Sequence, residues 1–173
     1  MLTKNSTPQE ELIFQTLEEL VPSDHIVRKI NLIDYSFIYD QVGPLYSCDG
    51  RPGIDPVILF KILTLKAIFN VSSIRKTMKE LEVNLAFRWF IKIPLSQKLP
   101  SHSVISTNIK KRFKKPFLVE KILKEIFQQV FDLNIISSKD VNLSQQNLKI
   151  YQTNDEQTKV MIDDHYLYET TLV

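Results

Sequence analysis

Between Pro56 and Phe69 the chain reads PVILFKILTLKAIF, interrupted only by Lys61, Thr64 and Lys66. A helix that is apolar on most of its sides cannot lie on a protein surface, so other elements must surround it. The preceding Asp55 fixes where it starts, because an aspartate cap followed by proline at the first helical position is a strong initiation signal. Glycine is scarce. The 3 glycines fall at Gly43, Gly50 and Gly53, too few for the tight turns that a sheet-rich fold requires. The expectation is a mainly α protein, a helical bundle built around the Pro56–Phe69 segment.

The remaining helices follow from periodicity and caps. Leu12, Ile13, Leu17 and Leu20 have helical spacing in residues 8–20, with Glu10 and Glu11 near the start, where negative charge suits the helix dipole. Ser23 is positioned to cap a second helix with Ile26, Val27, Ile30 and Ile33 on one face. Tyr35, Phe37, Tyr39 and Tyr46 read as packing residues. Ser72 or Ser73 caps a short basic helix carrying Arg75, Lys76 and Lys79. Leu85, Phe87, Trp89 and Phe90 supply the buried side of the next helix. Ser101 or Ser103 caps a helix through VISTNIKKRF, where Ile109 and Phe113 share one face and Lys110 and Lys114 another. Pro116 opens a long amphipathic helix whose stripe is Phe117, Leu118, Ile122, Ile126, Val130 and Phe131. From about residue 134 the texture turns polar, with one alternating piece, Val141 to Ile150, of strand character. The chain thus divides into a helical domain, 8–133, and a poorly structured C-terminal tail, 134–173.

Charge is distributed unevenly. Residues 1–54 carry 4 basic and 8 acidic side chains, residues 55–124 carry 15 and 4, and residues 125–173 carry 3 and 8. A strongly positive middle between acidic ends has the electrostatic form of a polyanion-binding surface. Two basic helices, IRKTMKEL and VISTNIKKRF, are the raw material of a helix-turn-helix-like DNA-binding part. Arg75, Lys76 and Lys79 on the first, and Lys110, Lys111, Arg112, Lys114 and Lys115 in and after the second, are candidates to neutralise phosphates. Ser101, His102, Ser103 and Asn108 are candidates to reach phosphates or base edges. The expected partner is double-stranded DNA.

Other chemistry is poorly supplied. The single cysteine, Cys48, permits no disulfide within one chain, which favours a reducing, cytoplasmic setting. No signal peptide or membrane-spanning run is evident. His102 and Ser103 beside Cys48 lack a third group and an oxyanion motif, so no catalytic residue is assigned. Asp155, Glu156, Asp163, Asp164 and His165 have no metal-ligand spacing, so no metal site and no cofactor is assigned.

Four stretches, taken together, resemble the N-terminal domain of bacterial insertion-sequence transposases of the InsH type. They are LVPSDHIVRKI (20–30), FIYDQVGPLYSCDGRPGIDPVILFK (37–61), ELEVNLAFRWFIKI (80–93) and LPSHSVISTNIKKRF (99–113). The likeness runs over about two thirds of the chain. It implies DNA binding at the element's terminal repeats. It also implies a following RNase H-like domain whose three carboxylates hold two catalytic ions, Mg2+ in the family.

This chain departs from that pattern after its long helix. Aligned with the family's first catalytic strand, Ser144 falls at the metal-binding aspartate, and Gln145, Gln146 and Asn147 replace the serine, threonine and histidine that follow, while Lys149 is kept. A neutral hydroxyl cannot take over a bridging carboxylate's role towards a hard dication. Ser101 and Val104 stand where the family has aspartate and threonine. The chain also ends at Val173, before a full RNase H-like sheet. The expectation is therefore a truncated, catalytically inactive DNA-binding fragment, able to associate with itself or with full-length transposase. The alternatives are a protein-interaction module or a decayed remnant without DNA-binding activity.

Overall fold

The computed structural model describes residues 14–46, 53–113 and 116–135, with two short strand pieces at 151–152 and 158–159. The chain is mainly helical. Helices α1 (Leu17–Leu20), α2 (Ile26–Ile30) and α3 (Phe37–Val42) lead through a 3-10 turn, Gly43–Leu45, towards α4 (Pro56–Ile68). Helices α5 (Ile74–Val83), α6 (Leu85–Ile91) and α7 (His102–Thr107) follow; α7 runs on into a π-helical turn, Asn108–Arg112, and α8 spans Pro116–Asp132. Strands β1 (Tyr151–Gln152) and β2 (Thr158–Lys159) pair antiparallel, with Tyr151 opposite Lys159. The alternating piece, Val141 to Ile150, lies outside the described residues.

Helix α4 is the axis of the fold, packing against α3, α5, α6 and α8. Leu59, Phe60, Ile62 and Leu65 are fully buried. Its polar residues are buried with them and need partners inside. Thr64 donates to the Phe60 carbonyl at 2.9 Å. Lys61 Nζ donates to the Phe90 carbonyl at 3.0 Å and to Asn31 at 3.4 Å, and lies over the rings of Tyr35 and Phe90. Burial, reinforced by the charge of Lys92, pulls the Lys61 pKa down to about 8. The helix begins as the sequence predicts: Asp55 accepts from the Val57 amide at 2.8 Å, with Pro56 at the first position.

Several boundaries differ in detail from the sequence reading. Helix α2 starts at Ile26 and is capped by His25, whose Nδ1 accepts from Val27 N at 3.2 Å; Ser23 lies two residues too early, in the preceding turn. Ser73 caps α5 and Ser101 caps α7. Asn84 joins two helices: its amide closes the end of α5 and its side chain caps α6 at Phe87 N, 3.1 Å away. This corner leaves Leu85 42 % exposed. At the far end, α8 buries Val119, Ile122, Leu123, Ile126, Phe127 and Val130, while Phe131 is turned outward. The buried stripe thus lies one position round the helix from the expected one, and at its edge the partly buried Gln129 clamps the α2–α3 turn, exchanging hydrogen bonds with the Asp34 backbone.

The cap and the buried lysine give two predictions. Asp55→Ala should cost about 1 kcal/mol of stability in urea unfolding, whereas Asp55→Asn should retain most of it. Lys61 protonates less readily folded than unfolded, so the unfolded chain binds more protons between about pH 8 and its ordinary value of 10.5. Stability should therefore rise with pH above about 8, up to the region near pH 10 where the buried, raised Tyr35 begins to oppose it. Lys61→Met should remove that rise.

Candidate nucleic-acid interface

The basic helix α5 is sharply two-sided. Thr77, Met78 and Leu81 are buried against the bundle, and Arg75, Lys76 and Lys79 are exposed on the outside. Arg75 and Lys79 are four apart and share a helix face. Glu80 and Glu82 are also exposed, so the positive character concentrates in the first half of the helix. An open groove of about 650 Å³ runs where the turn after α4 meets α5, bordered by Phe69, Asn70, Ser72, Lys76, Lys79 and Asn84. Asn70 adopts a left-handed conformation there (φ 52°), which asparagine tolerates better than most residues.

Helix α7 packs directly against α5, although α6 and residues 92–101 lie between them in the chain. Ile105 anchors α7 in the core. The polar residues at its start are partly committed to the helix itself. Ser101 Oγ accepts from Val104 N at 3.4 Å and shares a 2.9 Å hydrogen bond with Ser103 Oγ. Asn108 donates to the Val104 carbonyl at 2.9 Å, which turns its amide along the helix. His102, at the first helical position, is exposed.

The lysines that follow separate into two groups. Lys110 and Lys111 are exposed on the π-helical turn. Arg112 is half-buried, its guanidinium 4.2 Å from the centre of the Tyr46 ring. It passes so near Gly53 that a Cβ there would lie 2.8 Å from Nη1, and the end of the Arg112 side chain would have to shift to make room. Phe113 folds inward onto Phe60 of α4, ring centres 5.7 Å apart. Arg112 and Phe113 therefore fasten the basic turn to the bundle, and Lys110 and Lys111 project from it. Lys114 and Lys115 lie outside the described residues, as do Cys48, Ser144 and the acidic residues from Asp155 to His165.

Among the described residues no group of three or more His, Cys, Asp or Glu could hold a metal ion. No described helix is long and apolar enough to cross a membrane. The sequence reading grouped Arg112 with its lysine neighbours because a run of cations gives no sign of which member turns inward. The one available signal was Gly53, a residue without a side chain facing a bulky partner. The different surroundings predict different effects: Arg112→Ala should lower stability in urea unfolding by about 0.5–1 kcal/mol through the lost ring contact, whereas Lys111→Ala should stay within about 0.5 kcal/mol of the parent.

The model of one protein family, described as Transposase domain (DUF772), matches residues 15–111. The match runs from α1 into the basic turn and takes in more than half of the chain. No curated protein and no solved structure gives a significant match. The matched span, together with the helical architecture it covers, places the chain in the transposase domain family.

Proposed function

We propose that this chain is a DNA-binding module of a transposase, engaging duplex DNA of the element's terminal repeats through α5 and the α7 segment. The observation that supports this most directly is the packing of α5 against α7. Helix α5, with the exposed Arg75, Lys76 and Lys79, becomes the neighbour of α7, a helix well apart from it in the chain that runs on into the turn carrying the exposed Lys110 and Lys111. Such a surface meets the phosphate backbone and draws its affinity from counterion release. His102 is the side chain on this surface best suited to reach a base edge. The groove beside Lys76 and Lys79 gives the surface relief. Ser144, standing where the family's first catalytic aspartate would align, supports binding without strand cleavage.

A salt-dependent gel shift on the parent element's terminal repeat tests the reading. Binding should weaken steeply from 50 to 200 mM salt. The double variant Lys110→Ala/Lys111→Ala should reduce the slope of log K against log salt by about 2, one unit for each lost phosphate contact. Lys76→Ala/Lys79→Ala should do the same, without a change in urea midpoint. A chain that ignores DNA at low salt, or that nicks it when given magnesium or manganese, contradicts the proposal. Co-elution with full-length transposase in the absence of DNA would favour an interaction module instead.

A further inference from the structure

A second cleft, of about 410 Å³, opens where α1 and α2 meet α6, bordered by Leu17, Glu18, Asn31, Arg88, Trp89 and Lys92. Its charges are unusual. Arg88 is 6 % exposed. Its Nη2 donates to the carbonyls of Pro94, Leu95 and Gln97 at 3.0, 3.2 and 2.9 Å, while Nε and Nη1 are buried and meet no acceptor. Lys92, exposed at the end of α6, is close enough for its charge to bear on Lys61. Lys61 itself reaches the cleft wall through Asn31. Two cations, Arg88 and Lys92, thus border one recess, with Lys61 behind Asn31 of its wall. The acid in its wall, Glu18, is already engaged by Arg28 and by the Trp89 indole N–H. Among the described residues no ion pair joins a carboxylate to Arg88, Lys92 or Lys61.

A buried guanidinium with unmet donors is costly unless an acceptor of opposite charge meets it. Planar guanidinium and point-like ammonium groups are the usual pair for tetrahedral oxyanions. Apolar walls, here Leu17 and the Trp89 ring, strengthen the field inside such a recess. We infer that the cleft between α1, α2 and α6 is an oxyanion site, binding a phosphate group through Arg88 and Lys92. The site belongs to a different set of helices from α5 and α7, and it does not rest on the DNA-binding reading. The phosphate could belong to a DNA backbone or to a small phosphorylated molecule, and the chemistry at the cleft is the same.

Trp89 is the 1 tryptophan of the chain, so its fluorescence reports on this cleft directly. Inorganic phosphate, titrated at constant ionic strength against chloride, should give a saturable change in Trp89 emission and raise Tm. Lys92 has a left-handed backbone (φ 57°) that asparagine accommodates, so Lys92→Asn removes the charge and should leave Tm in chloride close to that of the parent. Its Kd for phosphate should rise roughly tenfold, the loss of about one charge-assisted contact. Should Lys92→Asn also weaken duplex binding, the phosphate is that of DNA; should duplex binding stay unchanged, it is that of a small molecule. Equal responses to phosphate and chloride, or unaltered phosphate binding in Lys92→Asn, overturn the inference.

Discussion

Helix α4 imposes the central constraint, because it has no side that water can cover. Helices α3, α5, α6 and α8 close around it. Their arrangement follows from what α4 must bury, including Lys61 and Lys66, which are 6 % and 2 % exposed. A buried lysine needs acceptors and rings within reach. For Lys61 these come from the Phe90 carbonyl and the rings of Tyr35 and Phe90, so α6 and the segment leading into α3 are held to α4 by polar as well as apolar contacts.

The same enclosure creates the basic surface. With α5 and α6 both wrapped on α4, the chain must travel through residues 92–101 before α7 returns to lie on α5. Arg88 holds that return by binding three carbonyls of the connecting segment. Phe113 then packs on Phe60, and Arg112 on Tyr46. Lys110 and Lys111 project because their neighbours are inserted. A buried arginine in α6 thus bears on the placement of cations in a turn about twenty residues later.

Much of the fold was legible from residue pattern alone. The Asp55–Pro56 start, the all-round apolar segment after it and the two-sided α5 are local features, and local propensities decided them. Helix edges were less legible. Ser23, Ser72 and Ser103 looked as able to cap as the residues that do so, since capping depends on where the first turn closes and not on the side chain alone. The stripe of α8 was read with Phe131 inside, because hydrophobicity marks a candidate for burial but cannot say which side of the helix the bundle covers.

The candidate site divides along the same line. Sequence by itself determined that the protein is helical, that its middle third is strongly positive, and that Arg75, Lys76, Lys79, Lys110 and Lys111 lie on amphipathic or polar segments; each of these is set by side-chain chemistry and short-range periodicity. Only the tertiary structure decided that α5 and α7 touch, that Arg112 lies under Tyr46, and that Arg88 and Lys92 border one cleft. Those facts depend on contacts between residues far apart in the chain, and which distant segments meet is settled by how a whole set of apolar faces can be buried at once.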